Sequence, residues 1–286
     1  MLSNRVSAIM TKDLTSTDAS STVFETMLIM VAKNVGRIII MQNQKPLGIF
    51  TEKDVLRRVM NKKADPKKTS VRTVMTSPVE TVAVEAHLGE ALEKMYKGGF
   101  RHLLVGGENG MIVGMVSMRG ILKLAVEVGR GGGEARTIGS IMSANFLTVD
   151  GTQSIYDTIA LMIKKNTGCV VVSSEAEPKG IFTERDVLKR VAVKDIDSKK
   201  TPIRDVMTAN LVSMPRAALV EEVLAKMFKG GFRHVPILGD KGELAGNVSM
   251  RDVLKYARAL DIDESVRKAW KEVEAFWDSE EHYTPG

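Results

Sequence analysis

The hydrophobic positions of this chain switch between two periods. Val23, Met27, Met30 and Val31 recur every three or four residues, which predicts a helix over Val23–Asn34, with Thr22 or Ser21 able to cap its start. The β-branched run Gly36-Arg37-Ile38-Ile39-Ile40-Met41 then reads as a strand, and Asn43 to Pro46 supply turn residues. Gly48-Ile49-Phe50 reads as a second strand, Thr51 as a hydroxyl at a helix start, and Val55–Val59 as the helix. Upstream, Ile9-Met10-Thr11 and Leu14-Thr15-Ser16 read as a lead-in segment and a short strand. The order is strand, helix, strand, strand, helix.

This unit returns. Gly48-Ile49-Phe50-Thr51-Glu52-Lys53-Asp54 reappears as Gly180-Ile181-Phe182-Thr183-Glu184-Arg185-Asp186, and in variant form at Gly246 to Asp252 and at Gly114 to Gly120. Thr51 and Ser117 are 66 positions apart, as are Thr183 and Ser249, while Thr51 and Thr183 are 132 apart. Self-similarity at a fixed period decides architecture before any local assignment does. The repeats run over Arg5–Met60, Val71–Val128, Thr137–Val193 and Pro202–Ala259, joined by polar connectors at Asn61–Ser70 and Lys194–Thr201. Residues 1–128 and 137–260 therefore read as two paired halves. The glycine-rich stretch at 129–136 follows a helical pattern and lacks a phosphate-loop lysine, so it reads as a linker. In residues 261–286, Val266, Trp270, Val273 and Trp277 share one helical face, which predicts an amphipathic C-terminal helix, docked on the body or offered to a partner.

Composition narrows the class. Over 286 residues, 44% are apolar and 27% charged, a globular balance with room for two cores. The single cysteine, Cys169, excludes an internal disulfide, lies in an apolar run and reads as a buried hydrophobe. No run approaches the ~20 apolar residues of a membrane span, and the N-terminus does not read as a signal peptide, so a cytoplasmic protein is expected. The net charge of +6 is compatible with phosphate ligands or nucleic acid without selecting either.

On the repeated Met-Thr lead-in, the strand order and four Gly-x-x-[Thr/Ser] motifs, three of them closing in aspartate, the chain resembles the CBS-domain family in its paired form. The resemblance covers all but the tail. It implies an α+β fold: four β-α-β-β-α repeats in two paired modules, packed as a pseudo-symmetric disc. It also implies regulatory binding of adenosine-containing ligands between paired repeats, and no catalysis. AMP, ADP or ATP is the expected regulatory ligand, with an effector protein or a second copy of the chain as partner.

The residues suit such a ligand. A carboxylate accepts hydrogen bonds from both ribose hydroxyls, a role open to Asp54, Asp186 and Asp252. Thr51, Ser117, Thr183 and Ser249 can donate to phosphate beside free helix N–H groups. Capping of their own helices is the competing role for the same hydroxyls and carboxylates. Arg101-His102 and Arg233-His234 repeat in step behind paired glycines and can fork onto phosphate. Arg37 stands at the matching place in the first repeat, Cys169 in the third, and Gly120 replaces the aspartate in the second, so the four sites cannot be equivalent. Lys53, Arg119, Arg185 and Arg251 could add charge, and Ile49, Phe50, Ile181 and Phe182 could wall the adenine.

Two alternatives remain open: a nucleic-acid-binding or scaffolding protein using the basic run Arg57, Arg58, Lys62, Lys63, Lys67 and Lys68, and a sensor of S-adenosylmethionine, which also carries the ribose diol. Aromatics are only 5% of the chain, which argues against a base-stacking platform. No zinc-ligand spacing or nucleophile–base signature is evident.

Overall fold

A computed structural model describes residues 5–62, 64–107, 111–128, 137–175 and 177–256. The linker and C-terminal helix expected from the sequence lie outside the described residues.

Each repeat builds one small sheet. In the first, β1 (Ser16–Asp18) pairs in parallel with β2 (Arg37–Gln42), which pairs antiparallel with β3 (Lys45–Thr51). The second repeats this with β4 (Thr81–Ala83), β5 (His102–Gly106) and β6 (Ile112–Ser117). The third does so with β7 (Thr148–Asp150), β8 (Cys169–Ser174) and β9 (Glu177–Thr183). In that sheet the short β10 (Thr208–Ala209) adds to β9. The fourth uses β11 (Met214–Pro215), β12 (His234–Leu238) and β13 (Leu244–Ser249).

The first helix of each repeat crosses between its parallel strands: α1 (Val23–Ala32), α3 (Leu88–Lys97), α5 (Ile155–Lys164) and α7 (Val220–Gly230). Thr22 caps α1 in a reciprocal box with Glu25. The helix stops two residues short of Asn34, which takes φ 52° and ends it. The β2–β3 turn places Asn43 and Gln44 at φ 49° and 63°, the two positive values a tight hairpin requires. The second helix differs between repeats. α2 (Glu52–Asp54) and α6 (Glu184–Asp186) are single turns that widen into π-helical stretches over Val55–Met60 and Val187–Val191, whereas α4 (Met118–Val128) and α8 (Met250–Tyr256) are regular.

The lead-in segments are exchanged. Thr11 bonds Met115 on the sheet of the second repeat, and Thr76 bonds Ile49 on the sheet of the first. Ser143 bonds Asn247 on the sheet of the fourth repeat, and Thr208 pairs with Ile181 on that of the third. Each lead-in thus bonds to the sheet of the neighbouring repeat. The exchange explains the motif glycine. A Cβ on Gly180 would lie 2.6 Å from the Thr208 carbonyl oxygen, and one on Gly48, Gly114 or Gly246 2.9 Å from that of Thr76, Thr11 or Ser143. The methionine of each Met-Thr or Met-Ser pair packs on that bare backbone.

The chain forms two compact units that cut across the repeats. One holds residues 5–14, 79–128 and 250–256; the other holds residues 15–78 and 137–249. In the larger unit the first and third repeats bury a common core, in which Met27, Met30 and Phe50 meet Met162, Phe182 and Leu188. Burying side chains of this size contributes about 1.5–3 kcal/mol each before the entropy of ordering them. No helix among the described residues is long and apolar enough to cross a membrane.

Candidate functional site

The hairpins bring the residues singled out in the sequence together in pairs. Their register sets Arg37 opposite Thr51, His102 opposite Ser117, Cys169 opposite Thr183 and His234 opposite Ser249. Each motif hydroxyl is therefore cross-strand neighbour to the residue that opens the core strand, within the distance at which such pairs interact. The preceding glycines stop helices. Gly99 and Gly231 take φ 66° and 71°, and Gly98 and Gly230 leave room for the rings of Phe100 and Phe232.

The carboxylates take the capping role. The Thr51 N–H and Oγ1 donate to Asp54 Oδ2 at 2.9 and 2.6 Å, and the Asp54 N–H returns a bond to Thr51 Oγ1 at 3.3 Å. Asp54 Oδ1 accepts from Thr76 Oγ1 at 3.3 Å and lies 3.5 Å from Arg58 Nη1. Asp186 repeats the arrangement with Thr183, Thr208 Oγ1 at 3.0 Å and Arg190 at 3.4 Å. Both aspartates are 7% exposed. Burial pushes the Asp54 carboxyl up against the opposing pull of Thr51 and Arg58. Arg58 also donates to the carbonyls of Val74 and Met75, and Arg190 to those of Val206 and Met207. The Thr-x-x-Asp-x-x-x-Arg run is thus a clasp for the neighbour's lead-in, a role the sequence reading missed. A ribose diol at Asp54 Oδ1 would compete with Thr76 and Arg58 for the same oxygen.

In the second repeat Gly120 leaves half a clasp: its N–H donates to Ser117 Oγ at 3.1 Å. Asp252 stands on α8 and Ser249 ends β13. The proposed adenine walls need correcting. Phe50 and Phe182 are 0% exposed in the core, because alternate strand residues face opposite sides; only Ile49 and Ile181 are half-buried.

The most unusual electrostatic feature centres on a residue the sequence reading passed over. Glu52, 1% exposed, accepts from Arg185 Nε at 3.0 Å on one oxygen and from Arg233 Nη2 at 2.5 Å on the other. Arg37, across the hairpin from Thr51, feels the same group: its guanidinium falls to about 10 through burial and repulsion by Arg233, against attraction to Glu52. Burial alone would raise the Glu52 carboxyl, but the charges of Arg233 and Arg185 hold it below the ordinary value. Arg233, disfavoured by burial, is nevertheless held up by Glu52 and, more weakly, Glu184. Glu52 of the first repeat, Arg185 of the third and Arg233 of the fourth meet here, within the electrostatic reach of Arg37 and Glu184. A signal existed in the sequence. The position of Glu52 and Glu184 is methionine in the other repeats, Met118 and Met250, which are 3% and 6% exposed. A place that takes methionine in its copies is a buried place.

The described residues of the basic run differ in their surroundings. Arg58 is turned inward, Arg57 donates to Asn166, and Lys67 lies 3.3 Å from Asp195; Lys67 and Lys68 are exposed, while Lys63 is outside the described residues. Among the described residues no cluster of three His, Cys, Asp or Glu side chains could hold a metal. Cys169 is 6% exposed, and burial raises its thiol to about 12.

The family model of the CBS domain matches residues 6–61, 71–127, 138–193 and 203–259. The chain belongs to the CBS-domain family. The Arabidopsis thaliana CBS domain-containing protein CBSCBSPB1 is 27% identical over 279 residues, which cover 84% of this chain and 51% of its own length. An uncharacterised 17.7 kDa protein of Acidianus ambivalens is 35% identical over 127 residues, 44% of this chain and 74% of its own. The chain spans about half the length of the first curated CBS-domain relatives it matches. Among solved structures, a Methanocaldococcus jannaschii protein described as a proposed archaeal homolog of g-AMPK superposes with a TM-score of 0.75 at 16% identity, covering 88% of this chain and 99% of that one. A conserved Pyrococcus horikoshii protein does so at 0.59 and 19% identity, with the same coverage. At such identities the likeness is one of fold.

Proposed function

We propose that this CBS-domain chain is a cytoplasmic regulatory sensor of an adenosine-containing anion of the AMP, ADP or ATP class. A separate effector, or a second copy of the chain, would read the change. The observation that supports this reading is the arginine cluster. Arg185 and Arg233 converge on the buried Glu52, whose charge Arg37 also feels across the hairpin from Thr51, and guanidinium forks of this kind suit a phosphate group. The adenosine half of the reading rests on family resemblance, with Asp54 and Asp186 as ribose acceptors once their lead-in partners give way. Arg101, His102, Ser117, His234, Ser249 and Asp252 belong to the same proposal as further contacts. The cluster disfavours S-adenosylmethionine, whose sulfonium would add a cation to three. Signalling requires the ligand to prefer one arrangement of the repeats over another.

Native mass spectrometry of the purified chain identifies what it carries, and thermal shifts with AMP, ADP, ATP and S-adenosylmethionine rank the candidates. Stabilisation by adenine nucleotides that is lost in Arg233→Gln is the expected result. No shift with any of them, or binding of nucleic acid that AMP does not compete, would overturn the reading.

A further inference from the structure

We propose that Asn247 reads the base of the ligand at the fourth repeat, its Oδ1 accepting a hydrogen bond from the exocyclic amino group of a 6-aminopurine. The inference rests on the sensor reading for the purine; the need for a donor at this oxygen does not.

Asn247 breaks the repeat. Counting back in steps of 66, its position is Ile181, Met115 and Ile49. An amide thus stands in a strand where each copy carries an apolar side chain, and asparagine is among the residues that strands disfavour. The backbone does not require it. The Asn247 N–H donates to the Ser143 carbonyl and the Asn247 carbonyl accepts from the Ser143 N–H, both at 2.9 Å, a pairing that Ile49 makes equally well with Thr76. Only the side chain has capacity left. Its Oδ1 is closed off from solvent and receives no hydrogen bond from any described residue. A buried acceptor without a donor destabilises a fold. A strand that accepts this cost at one copy, where the other copies avoid it with isoleucine or methionine, points to a ligand that supplies the donor.

The sheet fixes where that oxygen stands. Val248 is 0% exposed in the core, so Asn247 and Ser249 share the opposite face of β13. Across the ladder, Pro236 stands opposite Asn247 and His234 opposite Ser249. Pro236 has no side-chain donor, so the cross-strand neighbour leaves the amide oxygen unanswered. Asn247 lies two residues before the motif hydroxyl, about 7 Å along the strand. That is the offset between the sugar–phosphate end of a nucleotide and the far edge of its base. A ligand whose charged end lies at Ser249 therefore brings its base, and not its ribose, to Asn247. Adenine offers an amino group there, whereas hypoxanthine offers a carbonyl oxygen, a second acceptor.

The test is calorimetric titration of the full chain with AMP, with inosine monophosphate, and with purine riboside monophosphate, which carries no substituent in place of the amino group. The wild type is compared with Asn247→Ile, the residue of the first and third repeats. At one class of site the wild type should bind AMP about tenfold more tightly than either analogue, the effect of one hydrogen bond made or left unmade. In Asn247→Ile the preference at that class should fall to within about twofold, because AMP alone loses an interaction. Without ligand, Asn247→Ile should melt no lower than the wild type, because the orphaned acceptor is gone. An intact preference overturns the proposal, and so does a melting temperature several degrees below the wild type's, which would make Asn247 a structural residue. Should isoleucine not be accepted at this position, Asn247→Met, the residue of the second repeat, is read by the same two criteria. If AMP binds the wild type no better than its analogues, or the variant keeps the preference, this inference fails while the sensor reading stands. If no purine nucleotide binds the wild type, both fail.

Discussion

Two glycine-to-alanine changes within the same motif should move stability in opposite directions. In Gly180→Ala the new Cβ would sit 2.6 Å from both Met207 Sδ and the Thr208 carbonyl oxygen. The sulfur can swing, but the carbonyl belongs to β10, which is tied to β9 through Thr208 and Ile181. Relief requires either strain in the core or withdrawal of the lead-in from the sheet edge. Overpacking costs about 1–3 kcal/mol. Weakening one or two ladder hydrogen bonds adds about 0.5–1.5 kcal/mol each. The expected loss is about 2–4 kcal/mol, or a melting temperature lower by about 5–10 °C. In Gly120→Ala the nearest atom to the new Cβ is Ser117 Oγ at 3.4 Å, an ordinary contact, and the residue lies in the first turn of α4. Replacing glycine in a helix should add about 0.5–1 kcal/mol. Urea titration with matched m-values, alongside calorimetry, measures both. If Gly180→Ala is as stable as the wild type, the lead-in does not press on the motif glycine, and the exchange account of the repeat fails.

Further expectations follow from the same contacts. Glu52→Gln should cost about 3 kcal/mol without added anion, at the low end for a broken buried pair because the arginines are partly exposed. Because the Glu52 carboxyl is held below its ordinary 4.5 in the fold, the stability gap between wild type and Glu52→Gln should be present above that pH. It should close as the pH falls through the depressed folded value; a gap that persists through acid unfolding contradicts the ion-pair assignment. Asp186→Ala loses a cap and the bond to Thr208, and should destabilise by about 1–3 kcal/mol. Thr208→Val, which loses that bond alone, should cost a smaller share of this; a neutral Asp186→Ala in urea unfolding would contradict the clasp. Cys169, with its thiol raised to about 12, should react with a thiol reagent in the native protein only at the rate of local opening, and promptly once unfolded.

Much of the architecture was written locally. The 66-residue period, the switch from helical to strand spacing and the turn residues are near-neighbour properties, so α1, the β2–β3 hairpin and their copies could be placed from residue types alone. The pairing of Arg37 with Thr51, or His234 with Ser249, was not legible, because a one-residue register shift inside each hairpin, between Ile40 and Met41 and between Ile237 and Leu238, resets the count from the turn. Nor was the fate of the charged groups. Thr-x-x-Asp fits a ribose and a helix cap equally, and what else the carboxylate holds depends on Thr76 arriving from the next lead-in, 22 positions away, beside Arg58 one turn along the helix. Glu52 drew no role from the sequence, and nothing nearby in it announces that Arg185 and Arg233, 133 and 181 positions away, converge on it.

The sequence by itself determined the repeated unit, because spacing along a chain sets which side chains share a face. Only the tertiary structure decided which sheet each lead-in joins, which motif carboxylates turn inward and where three arginines gather. Those outcomes depend on long-range packing and desolvation, which residue identity at one position does not carry.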